Sequence, residues 1–169
     1  MIVYIATNGH PLFKHKRIGL NGKKFNVYKF RTMYIDADKR LEELLEEDEE
    51  CRIEWENDFK LKDDPRITKI GNFLRKTSLD ELPQLINVLQ GKMSLIGPRP
   101  IVDKEIEKYG EYFEYFTAVK PGITGLWQVS GRNDIDYDER VQLDVWYVRN
   151  WSINLDIQIL LKLIRIQVK

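Results

Sequence analysis

Apolar and polar positions alternate with different periods along the chain and divide it into short segments. Residues 16–30 are rich in strand-forming side chains on both sides of Asn21-Gly22. That pair supplies the two positive-φ positions of a type I′ turn, so the segment predicts a β-hairpin carrying Arg17, Lys29 and Arg31. Residues 36 to about 58 predict a helix, with Leu41, Leu44 and Leu45 on one face and Cys51 and Trp55 four apart. Asp63-Asp64-Pro65 then breaks the chain, because the residue before a proline is pushed out of helical geometry. After a short basic stretch (Lys69, Arg75, Lys76), Leu82, Leu85, Ile86 and Leu89 return to helical spacing, and Gly91 is a natural stop. Gly97-Pro98-Arg99-Pro100 reads as a stiff corner, 103–118 as an aromatic-rich helix, and Lys120-Pro121-Gly122-Ile123-Thr124-Gly125 as turn chemistry. Helical patterns near 137–150 and 152–168 close the chain. The pattern predicts an α+β, helix-rich single domain over 1–169 with a small β-hairpin.

The last helix admits two readings. Its apolar residues cover most of a helical wheel, while Gln158, Lys162, Arg165 and Lys169 gather on one side, with Trp146, Tyr147 and Trp151 just upstream. This fits an amphipathic helix at a membrane interface, and equally an ordinary helix packed on a core. No apolar run reaches the roughly 20 residues that span a bilayer. The opening Ile2-Val3-Tyr4-Ile5-Ala6 is too short for a signal peptide or a spanning helix.

Composition changes this picture in one respect. The chain has 27 basic and 27 acidic residues, so no global field points to nucleic acid. The charges are segregated, however: residues 1–35 hold seven Lys/Arg and no acid, and residues 36–64 hold fourteen acids against five bases. A basic block beside an acidic one suggests a local anion site, and the acidic run itself reads most simply as a solvated face. Cys51 is the only cysteine, which rules out an intrachain disulfide and fits a reducing compartment. Two histidines, His10 and His15, argue against a His-rich zinc site and leave a hard ion on oxygen ligands.

The candidate chemistry centres on the adjacent acids Asp80 and Glu81. Ser78-x-x-Glu81 matches a capping box, and Pro83 favours a helix start near Asp80. A carboxylate at that positive helix end is expected to stay ionised. The bland alternative is that these acids only start a helix. Arg99 lies between two prolines, which would cut the entropy lost when its fork grips an anion; the alternative is a rigid loop with a solvent arginine. Lys29 and Arg31 on the hairpin offer further anion contacts.

Several motifs then run in order: Tyr28-Lys29-Phe30-Arg31-Thr32-Met33, Asp64-Pro65-Arg66-Ile67-Thr68 and Leu74-Arg75-Lys76-Thr77-Ser78-Leu79-Asp80-Glu81-Leu82-Pro83-Gln84. They continue with Gly91-Lys92-Met93-Ser94-Leu95-Ile96-Gly97-Pro98-Arg99-Pro100, Gly131-Arg132-Asn133 and Leu143-Asp144-Val145-Trp146-Tyr147-Val148. From about Gly9 onward the chain resembles the bacterial sugar transferase family, the monotopic polyprenyl-phosphate phosphoglycosyl transferases. Its acidic insert and the run Gly125–Asn133 look most like the undecaprenyl-phosphate galactose or glucose phosphotransferases of exopolysaccharide and O-antigen synthesis. The family carries a hydrophobic re-entrant membrane segment just upstream, and the chain is expected to lack it.

The resemblance implies transfer of a sugar phosphate from a UDP-sugar to a polyprenyl phosphate, with release of UMP, at the cytoplasmic face of a bacterial inner membrane. It implies Asp80 as the nucleophile that holds the phosphosugar covalently, Glu81 as a base or metal-positioning group, and magnesium on Asp80. It implies Arg17, Lys29 and Arg99 at the active site, for phosphate, and Arg31 is grouped with them. The expected partners are the UDP-sugar, the lipid phosphate and the membrane surface, with no nucleic acid and with a homo-oligomer left open; the piece alone is expected to be soluble. The rival expectations are a catalytically weak module serving polysaccharide-assembly contacts and a general anion binder.

Overall fold

The computed structural model describes residues 10–58, 61–131 and 135–167. The apolar opening at Ile2–Ala6, Gly9, and the motif residues Arg132 and Asn133 lie outside the described residues, as does Lys169. The chain forms two compact units, one of residues up to Phe13 with Lys29–Leu82, the other of Lys14–Tyr28 with Pro83 onward.

The hairpin forms as the sequence predicts. Strand β1 (Leu12–Ile18) pairs with β2 (Lys24–Phe30) in a two-stranded sheet. Asn21 (φ 55°) and Gly22 (φ 70°) turn the chain, and the Lys23 N–H donates to the Leu20 carbonyl at 3.2 Å. Both positive φ values are those of a type I′ turn, whose twist matches that of the strands.

In the first unit the acidic segment is two helices, where the sequence predicts one: α1 (Ala37–Glu47) and α2 (Glu49–Asp58). Asp48 stands between them with extended backbone (φ −126°, ψ 107°), and its Oδ1 accepts from the Cys51 N–H at 3.0 Å. A short acidic side chain that caps the next helix satisfies that helix better than it continues the previous one. The basic stretch that the sequence left unassigned is helix α3 (Lys69–Lys76), capped by Thr68 Oγ1, which accepts from Gly71 N–H at 2.8 Å. Met33 and Ile67 form an antiparallel bridge, and Thr68 N–H donates to the Thr32 carbonyl at 2.9 Å. Gly71 is needed there, because a Cβ at that position would fall 1.9 Å from the Thr32 carbonyl oxygen.

The second unit contains α4 (Gln84–Leu89) and a parallel strand pair, β3 (Ser94–Ile96) with β4 (Gly122–Thr124), between which lie α5 (Ile106–Tyr109) and α6 (Phe113–Thr117). The sequence predicts one helix over 103–118; the structure breaks it at Gly110 (φ 48°) into helical turns. It also reads 120–125 as a turn, whereas Gly122 N–H donates to the Pro98 carbonyl and Gly97 N–H to the Thr124 carbonyl, both at 2.9 Å. Glycine permits this approach: a Cβ on Gly122 would lie 2.2 Å from Gly97 N. Helices α7 (Tyr137–Arg149) and α8 (Ile153–Gln167) match the predicted patterns. Ile18, Ile101, Tyr109, Phe116, Val141 and Val145 form one buried cluster, and Ile96, Leu126, Val129, Tyr147 and Ile159 another.

The last helix packs on the core along one face and leaves apolar residues exposed along another. Ile159 is buried, with Leu155 and Leu163 packed at its side, while Ile153, Ile157, Leu160, Leu161 and Ile164 are exposed. Among the described residues no helix is long and apolar enough to cross a membrane.

Candidate active site

Asp80 and Glu81 sit on a 3₁₀ turn, Leu79–Glu81, and not on the first turn of an α-helix as the sequence predicts; α4 begins only at Gln84, after Pro83. The predicted capping box does not form. Ser78 makes no side-chain capping bond and takes a left-handed backbone (φ 56°), unusual for a residue with a Cβ. Glu81 reaches instead to Lys29, whose Nζ donates to Glu81 Oε1 at 2.6 Å, with both side chains about a quarter exposed.

Asp80 is half-buried beside this pair. Burial pushes its carboxyl above the ordinary range, the Lys29 ammonium pulls it back, the Glu81 carboxylate raises it, and the Arg75 guanidinium lowers it. The expectation of a carboxylate kept ionised by a helix dipole is therefore corrected: the turn supplies little dipole, and desolvation leads. The cations offset it, and a carboxylate held with a raised proton affinity is the better nucleophile once ionised. Arg75 donates through Nε to Thr32 Oγ1 at 2.9 Å, so α3 delivers a cation to Asp80 that sequence reasoning did not single out, although it lay inside a quoted motif.

Arg31 serves the open end of the hairpin. Its Nε donates to the His10 carbonyl at 3.0 Å, its backbone N–H to the Pro11 carbonyl at 2.8 Å, and its guanidinium lies 5.6 Å from the Phe13 ring centre. The first unit thus brings Lys29, Asp80, Glu81 and Arg75 together and turns Arg31 toward His10 and Phe13.

Arg17 and Arg99 belong to the second unit. Ile18 N–H donates to the Ile101 carbonyl at 2.9 Å, and this bridge puts the neighbours Arg17 and Arg99 on adjoining backbone. Pro98 and Pro100 are buried, and the carbonyls of Pro98 and Ile101 are both held, so the backbone on each side of Arg99 is fixed. Arg17 is partly desolvated and feels the Arg99 charge, and both push its guanidinium below its usual value; Glu105 opposes them. Glu105 and Arg140 complete this second cluster and were not anticipated. Their signal is faint: Glu105 ends a short 3₁₀ turn and Arg140 stands among the charged residues that open α7, where charges read as solvated.

No group of three or more His, Cys, Asp or Glu side chains converges to hold an ion among the described residues. Magnesium needs less: it commonly takes one or two carboxylates and shares its other positions with water and substrate phosphate. Asp80, with Glu81 beside it, fits an ion shared with substrate and does not fit an all-protein cage.

A half-buried carboxylate among cations, on an α+β frame with a second arginine cluster, is an arrangement chemically able to engage a phosphorylated group. The model of the bacterial sugar transferase family matches residues 1–169, and the chain belongs to that family. It is 58% identical over 159 residues to an undecaprenyl-phosphate galactose phosphotransferase of Salmonella typhimurium, covering 94% of this chain and 33% of that protein. It is 41% identical to a UDP-glucose:undecaprenyl-phosphate glucose-1-phosphate transferase of Escherichia coli, again covering 94% of this chain and 33% of the relative. An exopolysaccharide production protein, ExoY, of Sinorhizobium fredii is 47% identical over 96% of this chain and 72% of its own length. The chain spans about a third of the length of the first relatives it matches.

Proposed function

We propose that this chain carries out sugar-1-phosphate transfer from a UDP-sugar, galactose or glucose, to undecaprenyl phosphate, as a membrane step of exopolysaccharide or O-antigen synthesis. The observation that carries the reading is the half-buried Asp80 flanked by Lys29, Arg75 and Glu81. In the first step an ionised Asp80 oxygen attacks the β-phosphorus of the donor. The bond from that phosphorus to the bridging oxygen breaks, UMP leaves with the electron pair, and the sugar phosphate stays on Asp80 as an acyl phosphate. In the second step an oxygen of the lipid phosphate attacks the same phosphorus and Asp80 is released.

The attack brings an anion onto an anionic diphosphate, so cations must offset the repulsion and the charge spread in the transition state. Lys29 and Arg75 are the cations of the first unit placed to do so, and Glu81 fixes the direction of Lys29. Magnesium, held by Asp80 and by substrate oxygens, would neutralise further diphosphate charge. The exposed apolar face of α8, rimmed by Lys162 and Arg165 and preceded by Trp146 and Trp151, supports a setting at a membrane surface, read as the cytoplasmic face.

The test is UMP release from UDP-galactose and UDP-glucose with magnesium and polyprenyl phosphate, for the native chain and for Asp80→Asn. The variant should lose on the order of 10³-fold or more of the rate. Native protein with donor alone should gain a hexose phosphate by mass spectrometry, and Asp80→Asn should not. Undiminished UMP release by the variant refutes the nucleophile.

A further inference from the structure

The second cluster holds more positive charge than its acid can balance. Glu105 Oε2 lies 3.7 Å from Arg17 Nη1, and Glu105 Oε1 lies 3.7 Å from Arg140 Nη1. Those separations make ion pairs but are too long for hydrogen bonds. The contrast with Arg66 is instructive: its Nε and Nη2 close on Asp64 at 2.8 and 2.7 Å in a bidentate, buried pair that leaves little to offer a ligand.

Glu105 is itself committed elsewhere. Its Oε2 accepts from the Val102 N–H at 2.8 Å and its Oε1 from the Tyr137 hydroxyl at 3.2 Å. The carboxylate is thereby anchored between two guanidiniums without closing on either. Arg140 is fixed in a different way: its guanidinium lies 4.6 Å from the Trp127 ring centre and 4.9 Å from that of Tyr137, and its buried Nε has no hydrogen-bond partner. Aromatic faces hold a guanidinium plane while leaving its outer N–H groups unspent. Arg17 and Arg140 are 16% and 12% exposed, enclosed enough that like charges repel strongly and open enough for a ligand to reach them. Glu105 cannot neutralise two guanidiniums, the Asp144 carboxyl that also feels Arg140 is held by burial at a pKa of about 7, and the Arg99 charge adds to the excess.

We propose that Arg140 and Arg17 form a phosphate-binding pair in the second unit, with Glu105 as the positioning residue that holds the two guanidiniums apart and aimed. The ligand is a phosphate group in the plane of the arginine forks, from a nucleoside diphosphate or a lipid phosphate; its place in the reaction rests on the transfer reading above.

The experiment is calorimetric titration of the full chain with UDP, with inorganic pyrophosphate, and with phosphatidylcholine vesicles with and without phosphatidic acid. The variants are Arg140→Met, which keeps an apolar stem between the two rings, and Arg140→Lys, which keeps the charge and loses the fork. Arg140→Met should weaken phosphate binding by about tenfold or more, and Arg140→Lys should not restore it, as expected for a charge-assisted fork contact of about 1.5–3 kcal/mol. Loss confined to UDP and pyrophosphate assigns the pair to the soluble donor, and loss confined to the phosphatidic acid vesicles assigns it to a lipid phosphate. Unchanged titrations for all probes overturn the proposal. Arg17→Gln, on a strand at the rim of the cluster, provides the same reading if an Arg140 variant fails to fold. These titrations need no turnover, so a failure here and an active Asp80→Asn enzyme are separate results.

Discussion

Asp144 is 1% exposed, and its Oδ2 accepts from the Tyr109 hydroxyl at 2.7 Å, while its Oδ1 has no partner. Burial pushes its pKa up to about 7, against the downward pull of the Tyr109 hydrogen bond and the Arg140 charge. An unfolded chain returns it to the ordinary 3.8, so between those values the folded protein keeps a proton that the unfolded one has released. Asp144 therefore makes the fold lose stability as pH rises from about 4 to about 7. Thermal unfolding across that range should show Asp144→Asn with a flatter pH dependence than the native chain; parallel curves would contradict the assignment. Asp80 was legible in the sequence because an Asp-Glu pair inside a dense run of motif residues announces itself. Asp144 was not, since it stands in the mainly apolar run Leu143–Val148 and spacing alone does not say which stripe faces inward. Arg140 escaped notice because the acid it faces, Glu105, lies on a separate segment that spacing does not connect to α7.

At the scale of elements, the strongest local signals held. Asn21-Gly22 made its turn and the two C-terminal helices kept their bounds, because turn chemistry and long periodic runs act within a few residues. The three-residue strands β3 and β4 were missed because such lengths carry no alternation, and their pairing joins segments remote in the chain. Helix α3 was missed because it is eight residues long with an exposed Phe73, its seat being provided by Thr32. That seat is testable. Gly71→Ala would drive a methyl into the Thr32 carbonyl and should destabilise the chain by about 1–3 kcal/mol, read as a lower denaturant midpoint. A midpoint equal to the native one would mean that α3 shifts freely away from Thr32. Because Arg75 rides on α3, the same variant should also reduce transfer.

For the whole chain, the charge total of zero leaves no long-range pull toward a polyanion, and the membrane setting proposed above would rest on apolar contact. Ile157 and Leu161 lie on the outward face of α8, 49% and 54% exposed. Replacing both with glutamate should cut sedimentation with phosphatidylglycerol-containing vesicles by about tenfold or more and leave the melting temperature nearly unchanged. Vesicle binding that survives the double replacement would exclude this face as the contact. The hairpin described at the outset has a further consequence for how the chain reaches its native state. Its turn end belongs with residues that come much later, as the Lys24–Asp103 ion pair, 79 positions apart, illustrates. During synthesis that ribbon precedes the sequence it packs against, and its buried side chains wait for those remote residues to find cover. Folding is thus paced by contacts that join Ile18 to Ile101, Val141 and Val145, and a nascent chain released ahead of them keeps a ribbon with no home.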